Sequence, residues 1–322
     1  MKPQSKNKNL KIIIIGFGSI GQRHYHNLKS LGYKNLTVFD INKISLSKQK
    51  ISTISQLAIN NLKKFDVAII TNPNNVHITT ALKCAASGCH LFIEKPLSHN
   101  FRGIDQLIKI CRQKNLVNFV ACNLRFHPCL VFIKRYLVQG KLGKIYSLSF
   151  EGASYLPFWR PMQDYRKNYA AKKKTGGGII LDGIHEFDLL FWFVNWRSVI
   201  NSKFIFDKVS NLKIETEDIC LAIFEFQNKI LGLVKCDYLQ KSYSRNCKIV
   251  GARGNLEWDY RKNIVWLKNE RGEKKIFVVK KYNYNDFYLA EMKYFLGQVA
   301  KRQKTFNDIA RAKLVLNYCL KR

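Results

Sequence analysis

The stretch Lys11 to Gly21, KIIIIGFGSIG, decides the fold expected for this chain. Four consecutive isoleucines favour a strand buried on both faces, as in a parallel sheet. The strand runs into three glycines, after which Gln22 to Leu31 can continue as a helix. Gly16 would allow a tight turn, Gly18 would leave space for a pyrophosphate, and Gly21 would let helix and strand pack closely. The start of a helix favours phosphate, so the predicted loop contacts are Gly16, Gly18, Ser19, Ile20 and Gly21.

A second apolar segment, Leu36 to Phe39, ends in Asp40, about 20 residues beyond the glycine motif. An acidic side chain at that distance can accept hydrogen bonds from both hydroxyls of an adenosine ribose. Because a carboxylate repels a 2′-phosphate, Asp40 favours NAD, and Lys43 nearby keeps NADP as the alternative cofactor. A structural turn without a ligand is disfavoured by the combination of strand, glycines and acid.

Length and composition predict two domains with ordinary hydrophobic cores, since 47% of the 322 residues are hydrophobic. No apolar run approaches the ~18 residues that a membrane span requires. The first ten residues, MKPQSKNKNL, lack the apolar core of a signal peptide. We interpret 1–10 as a polar tail and expect a cytoplasmic protein.

Nine cysteines occur without a CxxC pair and without a histidine cluster at zinc-ligand spacing. An odd number in this arrangement indicates buried thiols in a reducing compartment. No metal site is therefore predicted.

The net charge of +33 arises from 55 Lys and Arg against 22 Asp and Glu. Such a charge is compatible with nucleic acid or an anionic surface as a partner. The basic residues are spread through every segment, however, and no RNA-binding signature, helix-turn-helix pattern or zinc finger accompanies them. We therefore expect no specific nucleic-acid partner, and attraction of an anionic substrate is at least as good a use of the charge.

Another predicted buried strand, Val67 to Thr71, is followed by a loop whose asparagines and proline favour a turn. In an open α/β sheet the carboxyl edge of the strands is where a cofactor lies. The candidate cofactor contacts in this segment are Thr71, Asn72, Pro73 and His77. An ordinary turn explains the local sequence equally well.

Strand His90 to Ile93 leads into Glu94, Lys95 and Pro96. Most lysines are solvated surface charges, which is the alternative interpretation of Lys95. This lysine, however, follows a strand of the same sheet, on the same edge as the glycine loop. Its position predicts that it acts on a substrate held over the cofactor.

The alternation of helices and strands stops after Cys122, where NLRFHP (123–128) begins. The first domain is therefore predicted as 11–122 and the second as 123–322. Strand-like alternation at 144–155, 218–226, 230–239, 246–258 and 263–268 predicts an antiparallel sheet with one covered face. The segments 286–301 and 307–320 are predicted as closing helices.

A second dense motif, KKKTGGGIILDGIHEFDLLFW, spans 172–192, with helical apolar spacing from Ile180 onward. On one continuous helix Asp182, His185 and Asp188 would lie three apart, near one face. Bracketing carboxylates hold a histidine in one tautomer and raise its pKa toward the working pH. A surface ion pair is the alternative.

The collected motifs resemble the Gfo/Idh/MocA family, the glucose-fructose oxidoreductase and inositol dehydrogenase group. They are GFGSIGQRH, TNPNNVH, EKP, NLRFHP and GGGIILDGIHEFD, and the resemblance runs from Lys11 to about Leu320. It implies an N-terminal Rossmann domain with a doubly wound parallel sheet. It also implies a C-terminal α+β domain whose open, mainly antiparallel sheet covers the substrate and supports a homo-oligomer.

The same resemblance implies roles for individual residues. Lys95 resembles the family's catalytic lysine, and Glu94 and Pro96 would shape the nicotinamide pocket, with Asn123 as a further cofactor contact. His185 resembles the general acid/base, and Asp182 its carboxylate companion. Many members have DxGxH, whereas here Asp182 and His185 are three apart. Glu186 or Asp188 therefore remain alternative partners of His185.

The segment 155–169, YLPFWRPMQDYRKNY, suits a sugar, because flat rings cover its apolar face and charged forks bind its hydroxyls or an attached carboxylate or phosphate. Packing on the sheet or on another subunit is the alternative. Together with Arg125, Asp182 and His185, the predicted substrate contacts are Tyr155, Trp159, Arg160, Tyr165 and Arg166.

The predicted function is an NAD(P)-dependent oxidoreductase that moves a hydride between nicotinamide and a carbinol carbon of a sugar or sugar derivative. The substrate would be an acidic or nucleotide-linked sugar of surface polysaccharide metabolism. One alternative is a reductase of a non-sugar, of the bilin or imine type. Another is a cofactor-binding regulator without turnover.

Overall fold

The structure is a computed structural model that describes residues 8–42, 51–281 and 283–321. Most of the predicted tail, 1–7, and Lys43 lie outside the described residues. The described residues up to Cys122, together with Asn285–Asn317, form one compact unit. A second unit consists of Asn123–Tyr284 and the described residues from Tyr318 onward.

Strands and helices are numbered in chain order. The strands are β1 (Ile12–Ile15), β2 (Leu36–Phe39), β3 (Ser52–Thr53), β4 (Val67–Ile70), β5 (His90–Ile93), β6 (Asn118–Val120), β7 (Ile145–Ala153), β8 (Val199–Asp207), β9 (Ile219–Phe226), β10 (Ile230–Asp237), β11 (Ser244–Gly251), β12 (Gly254–Asp259), β13 (Ile264–Asn269) and β14 (Gly272–Val278). The helices are α1 (Ser19–Ser30), α2 (Ile59–Leu62), α3 (His77–Ala86), α4 (Ile104–Gln113), α5 (Pro128–Val138), α6 (Ile179–Asp182), α7 (Ile184–Phe193), α8 (Asp286–Lys301) and α9 (Ile309–Leu320).

The sheet of the first unit is parallel, in the order β3-β2-β1-β4-β5-β6 among the described residues. Ile12 pairs with both Leu36 and Val67, so the strands start level with one another. The four isoleucines of β1 are almost completely buried, as expected for a strand covered on both faces. Because the strands are parallel and in register, the loops after β1, β2, β4 and β5 leave the sheet at the same edge.

Helix α8 belongs to the first unit, which differs from the predicted second domain of 123–322. Asn285, the residue that precedes this helix, exchanges side-chain hydrogen bonds with Asn27 of α1, at 2.6 and 3.2 Å. The Glu291 carboxylate accepts the main-chain N–H of Cys122 at 2.5 Å. Phe295 packs edge-on against Phe92 of β5. Amphipathic spacing predicted this helix but not the surface on which its apolar side lies.

The sheet of the second unit has the order β14-β13-β12-β11-β7-β10-β9-β8. Its neighbouring strands are antiparallel except for the parallel pair β7 and β10. Burial alternates along each central strand, so that Phe224 of β9 is fully buried while Ile223 is 51% exposed. Helix α7 covers the buried face, and a Cβ on Gly232 of β10 would lie 2.9 Å from Leu190.

The parallel sheet and the mainly antiparallel second sheet confirm the predicted fold class. Within the second sheet, the segment predicted as one strand, 246–258, is instead the hairpin of β11 and β12, which turns at Gly251 to Gly254. Two further strands had not been predicted: β8, whose side chains are mostly exposed, and β14. Across the described ranges, no helix combines the length and apolar character needed to cross a membrane.

Candidate active site

The glycine loop after β1 is closed by backbone contacts. Gly16 has a φ of +96°, and a Cβ on it would lie 2.5 Å from the main-chain nitrogen of Asn72. A Cβ on Gly21 would lie 2.0 Å from the carbonyl oxygen of Gly16. A Cβ on Gly18, in contrast, would meet no described atom within 4 Å. Packing therefore requires the first and third glycines, whereas the second leaves open space of the kind a pyrophosphate needs.

The start of α1 faces this open space. Gly18 is the N-cap residue and has no side chain with which to cover the N–H groups of the first turn. Gly18 and Ser19 are exposed, and Ile20 is half-buried. The loop thus presents main-chain donors and the positive end of the helix dipole to an anion.

Asp40, at the end of β2, is held in place by main-chain donors. Its carboxylate accepts the N–H of Phe17 at 2.5 Å and the N–H of Asn42 at 2.7 Å. An ionised carboxylate has about four acceptor positions, so two further donors can still be accommodated. This arrangement fits the two hydroxyls of a ribose and fixes the acid next to the glycine loop.

Two residues predicted as cofactor contacts bind the protein's own main chain. The Thr71 hydroxyl contacts the carbonyl oxygens of Gly16 at 2.7 Å and Ile15 at 3.1 Å. His77 is 2% exposed, so it offers almost no surface to a ligand. Both residues hold the loops in shape, while Asn72 is half-buried and Pro73 is exposed.

The ring of His77 lies between two carbonyl oxygens. Its Nε2 is 2.7 Å from the oxygen of Asn72, and its Nδ1 is 2.9 Å from the oxygen of Pro96. Burial lowers the pKa of His77, although these two carbonyls act in the opposite direction. The histidine therefore connects the loop after β4 to the loop after β5.

The loop after β5 contains Glu94, Lys95 and Pro96, joined by a cis Lys95–Pro96 peptide bond. The Glu94 carboxylate lies 2.7 Å from Nε2 of His24 and 3.2 Å from the main-chain nitrogen of Lys95. Burial raises the pKa of Glu94, but the hydrogen bond and charge of His24 together with the contacts to Lys95 outweigh burial, and the pKa is lowered. Along 91–98, Lys95 is the one residue that is not buried.

The helix predicted from Ile180 onward is interrupted at Gly183, which separates α6 from α7. A Cβ on Gly183 would lie 2.6 Å from the sulfur of Cys236 on β10. The close approach to the sheet thus needs a glycine at the break. As a result, Asp182 and His185 lie on different helical segments, which corrects the prediction of one continuous acidic face.

Asp182 accepts hydrogen bonds from two phenols. The hydroxyl of Tyr169 is 2.6 Å from one carboxylate oxygen, and the hydroxyl of Tyr238 is 2.5 Å from the other. Burial, and then the Asp182 charge, raises the pKa of Tyr238. The carboxylate that was predicted as the companion of His185 therefore binds at least these two tyrosines.

The two other candidate partners of His185 each bind an arginine. Glu186 is 1% exposed and lies 2.7 Å from Nε of Arg245 on β11. Burial lowers the pKa of Arg245, but the interactions with Glu186, Tyr243 and Tyr284 together outweigh burial, and the pKa is raised. Gly152 pairs with Arg245 across β7 and β11, and a Cβ there would lie 2.4 Å from the Glu186 carboxyl carbon. The glycine thus makes room for this buried ion pair.

Asp188 binds Arg125 through both guanidinium donors, at 2.8 Å from Nε and 2.5 Å from Nη2. Arg125 is 4% exposed, and its guanidinium carbon lies 5.0 Å from the ring centre of Trp196. Such a buried, stacked arginine does not present its charged fork to a substrate, which corrects the predicted substrate contact. Asn123, predicted as a cofactor contact, is also buried at 5% exposure.

His185 is the one residue between Ile179 and Phe191 that is not buried. The neighbouring acids are turned to Arg245 and Arg125, and the apolar residues pack into the core. In the described part of the chain, no cluster of three His, Cys, Asp or Glu side chains is arranged to hold a metal ion.

The aromatic segment 155–169 contains both packed and exposed side chains. The indole N–H of Trp159 donates to the hydroxyl of Ser154 at 2.6 Å, and its ring packs edge-on against Tyr238. Tyr155 packs against Phe158. Trp159 is nevertheless 37% exposed, so part of its ring stays available to a ligand.

The polar residues of this segment differ in the lengths of their hydrogen bonds to other protein groups. Arg166 binds Asp164 through Nε at 2.8 Å, and the Tyr165 hydroxyl accepts the main-chain N–H of Lys213 at 3.1 Å. The exposed Arg160 makes a longer contact, 3.5 Å from its Nη1 to the side-chain oxygen of Gln163. Arg160 is thus the predicted arginine best placed to bind an anionic group.

Three residues without a predicted role, His24, Tyr238 and Arg245, hold Glu94, Asp182 and Glu186. His24 lies within the motif GFGSIGQRH, three residues after its last glycine. Its partner is 70 positions away, so no local spacing could identify the pair. Tyr238 and Arg245 are more than 50 positions from Asp182 and Glu186 in sequence, and the folding of the second sheet brings each pair together.

Comparisons with known proteins agree with this geometry. Residues 10–122 match an oxidoreductase family described as having an NAD-binding Rossmann fold. Residues 131–257 match the GFO/IDH/MocA C-terminal domain. The matches confirm the predicted family, the NAD-binding domain and the oxidoreductase class.

The chain is 25% identical to myo-inositol 2-dehydrogenase of Thermotoga maritima over 339 residues, covering 97% of this chain and 96% of that protein. Among solved structures, a levoglucosan dehydrogenase in complex with NADH and levoglucosan superposes with a TM-score of 0.84 at 18% identity, covering 97% of this chain and 96% of that one. UDP-N-acetylglucosamine 3-dehydrogenase of Acidithiobacillus ferrooxidans superposes with a TM-score of 0.79 at 19% identity, with coverages of 97% and 96%.

The structural likenesses have low sequence identity and show the shared fold. The assignment to a family rests on the two family matches, which follow one another along the chain and cover most of it. The chain belongs to the Gfo/Idh/MocA family of NAD-binding oxidoreductases.

Proposed function

We propose that this oxidoreductase transfers a hydride between NAD and a hydroxyl or carbonyl carbon of a sugar or sugar derivative, with Lys95 and His185 carrying the proton chemistry. One observation carries the proposal. In each of the two motifs that resemble the family's active site, a single ionisable side chain reaches the surface of an otherwise buried stretch. These are Lys95 within 91–98 and His185 within 179–191.

The residues of the first unit fit NAD. The open space beside Gly18 and the uncapped start of α1 suit the pyrophosphate, and Asp40 retains acceptor positions for the ribose. We assign Asn72, Pro73 and the loop 94–96 to the nicotinamide side of the cofactor. NAD, when bound, supplies the hydride acceptor.

In the oxidising direction, the C–H bond and the O–H bond of the substrate carbinol both break. The Lys95 ammonium donates a hydrogen bond to the reacting oxygen and orients the hydroxyl. His185 accepts the hydroxyl proton as the carbonyl forms, and it returns that proton in the reverse reaction. The electron pair of the C–H bond leaves with the hydride, so atoms and charges balance.

The second unit supports a sugar as the substrate. The exposed part of Trp159 offers a flat apolar surface, and Arg160 offers a charged fork. The relatives named for inositol and levoglucosan act on polyhydroxylated rings, as their names state. We therefore propose a ring polyol, and Arg160 favours one that carries a carboxylate or a phosphate, such as a nucleotide-linked sugar.

A panel of substrates tests this function. The protein is incubated with NAD and with neutral cyclitols, neutral sugars, uronic acids or nucleotide-linked sugars, and NADH is followed by absorbance. We expect NADH to form with at least one class, and Arg160→Ala to raise KM for an acidic sugar more than for a neutral one. NADH formation or consumption with none of these sugars and their keto forms would contradict the proposal.

We also propose that the protein is a homo-oligomer that associates through the open face of the second sheet. Ile223, Leu231 and Leu233 are 51%, 53% and 38% exposed on this face. Leu233 and Ile223 are register neighbours on β10 and β9, so the three side chains form one apolar strip. A two-fold contact between two copies would bury this strip against itself.

Light scattering after size-exclusion chromatography tests the oligomer. We expect Leu231→Lys combined with Leu233→Lys to reduce the particle mass to that of a single chain. Val138→Lys is a matched control, because Val138 is 67% exposed on α5, away from the strip. An unchanged mass for the double variant would contradict this interface.

A cytoplasmic location completes the proposal. All nine cysteines are buried thiols, as is usual where a reducing environment keeps them from forming disulfides.

A further inference from the structure

We infer that two buried histidines, His24 and His77, are positioning residues that fix the main chain on both sides of Lys95. The inference rests on the proposed role of Lys95 in proton chemistry. It concerns two side chains that lie outside the reacting groups: His24 is fully buried and His77 is 2% exposed. Each connects the Lys95 loop to an element that follows a cofactor loop.

On the N-terminal side, His24 reaches the Lys95 loop through Glu94. Nε2 of His24 is 2.7 Å from Oε1 of Glu94 and therefore carries the donated proton. Oε2 of the same carboxylate accepts the main-chain N–H of Lys95 at 3.2 Å. One carboxylate thus joins helix α1 to the backbone of Lys95.

The surroundings of His24 restrict its ring to this orientation. It packs edge-on against Phe92, with ring centres 5.0 Å apart, and lies 6.2 Å from the ring centre of Tyr288. Its Nδ1 is buried with no hydrogen-bond partner among the described residues. The Nε2–H tautomer is therefore the one that leaves no buried donor unsatisfied.

On the C-terminal side, His77 holds the carbonyl of Pro96. The ring lies 2.9 Å from this oxygen and 2.7 Å from the oxygen of Asn72. A neutral imidazole has one N–H, so it donates to one carbonyl at a time, whereas an imidazolium donates to both. In either form the ring fills the space between the two loops.

The two contacts join three loops at one edge of the sheet. His24 lies on the helix that starts at the glycine loop, and His77 starts the helix that follows the loop 72–76. A shift of either cofactor loop is therefore passed to the backbone at Lys95. A reacting group misplaced by about 1 Å can lose about 100-fold in rate, so such an anchor matters for turnover.

Hydrogen exchange measured by mass spectrometry tests the anchor without reference to activity. The observed fragment covers Glu94 to Ser98 in the full chain without ligand. We expect His24→Ala and His77→Ala each to accelerate exchange in this fragment by about tenfold, as the loss of one hydrogen bond implies. The controls are His26→Ala on α1 and Thr79→Ala on α3, both exposed positions whose change should leave the fragment unaltered.

Conservative variants separate the two contacts of His77. The side-chain amide nitrogen of Asn lies near the position of Nδ1, and that of Gln near the position of Nε2. His77→Asn should therefore keep the bond to Pro96 and protect the fragment better than His77→Gln, which favours the bond to Asn72. His24→Gln keeps a hydrogen-bond donor toward Glu94, so exchange in the fragment should be almost as slow as in the wild type and slower than in His24→Ala. If an alanine variant fails to fold, exchange in the fragment is compared among these conservative variants and the wild type instead.

Kinetics complete the test. Once a substrate is in hand, we expect the alanine variants to lower kcat by about 100-fold while the Kd for NADH changes less than about fivefold. Unchanged exchange in both His24→Ala and His77→Ala would overturn the inference, as would equal acceleration in the controls. If Lys95→Ala leaves turnover intact, the proposed function fails instead, and the exchange data still decide whether the histidines anchor the loop.

Discussion

Arg125 and Asp188 form a buried two-point ion pair, with Nε and Nη2 of the arginine donating to the two carboxylate oxygens at 2.8 and 2.5 Å. The pair connects the segment after Cys122 to helix α7, which also carries His185. The sequence predicts both residues at the site itself, Arg125 as a substrate contact and Asp188 as an alternative partner of His185. Because the two side chains bind each other, we assign them to stabilising the position of helix α7.

Breaking this pair should therefore cost stability. We expect Asp188→Asn and Arg125→Met each to lower the free energy of unfolding by about 3 to 5 kcal/mol, since each leaves a buried group without its partner. The double variant Arg125→Met with Asp188→Asn should be less destabilised than the sum of the two single changes. Urea denaturation measures all three, and additive single effects would show that the pair is not coupled.

Gly152→Ala tests the space reserved for Glu186. The new Cβ would lie 2.4 Å from the Glu186 carboxyl carbon, so the buried pair with Arg245 has to shift. We expect a loss of about 1 to 3 kcal/mol in unfolding free energy.

Gly297→Ala is the matched control for that change. Gly297 lies inside α8, and beyond the neighbouring helix backbone no described atom would lie within 4 Å of a new Cβ, so alanine there should stabilise the protein by up to about 1 kcal/mol. A loss of stability at Gly297 similar to that at Gly152 would show that the effect is not specific to the ion pair.

His127 makes stability depend on pH. Its Nδ1 accepts the N–H of Cys129 at the start of α5, and Nε2 lies 3.2 Å from the Asn263 oxygen, so the neutral ring fits both neighbours. Burial lowers the pKa of His127 to about 4. The hydrogen bond with Asn263 raises this pKa, whereas the positive charge of Arg245 lowers it further. The folded pKa lies below the unfolded value, so the stabilisation is present above about pH 6.5 and is lost progressively toward pH 4.

The expected loss over this interval is about 3 kcal/mol. His127→Asn keeps a capping side chain that does not ionise in this range, so it should remove this part of the pH dependence. Denaturation at pH 7 and pH 4.5 measures the difference, with the exposed His26→Asn as control. Equal pH dependence in wild type and His127→Asn would contradict the assignment.

A substitution of Asp182 tests whether this residue has a structural role or a role in the reaction. Asn at this position has one acceptor oxygen in place of two, so Tyr169 and Tyr238 can no longer each donate to a separate side-chain oxygen. We expect Asp182→Asn to lose about 1 to 3 kcal/mol in stability, and Tyr238→Phe to lose about 1 kcal/mol. A thermally unchanged Asp182→Asn protein that has lost turnover would instead assign the acid a chemical role.

The parts of the structure that local sequence determines were predictable. A strand, a glycine turn and a helix follow one another within 11–31. The predicted roles of Gly16 and Gly21 depend on short-range contacts: Gly21 approaches Gly16, and Gly16 approaches Asn72 just after the neighbouring strand. Lys95 is predicted from its place at the end of a strand, and His185 from its place in a dense motif between two carboxylates. Both turn out to be the partly exposed residue of their stretch.

Contacts between distant segments were not predictable from spacing. Glu186 and Asp188 occur beside His185 in sequence, but Arg245 and Arg125 turn them away, and only the fold brings those arginines near. The break at Gly183 has the same origin, because it depends on Cys236 of a neighbouring strand. The hairpin at Gly251 to Gly254, in contrast, has a local signal, a pair of glycines inside an apparent single strand.

The central claim is that Lys95 and His185 carry the proton chemistry of a hydride transfer. Its most direct test is a single-turnover measurement of NADH appearance with Lys95→Ala, His185→Ala and the exposed-position control Lys109→Ala. We predict that both site variants bind NADH within a few-fold of wild type but form it at least about 1,000-fold more slowly, while the control is unchanged. Wild-type rates in both Lys95→Ala and His185→Ala would contradict the account.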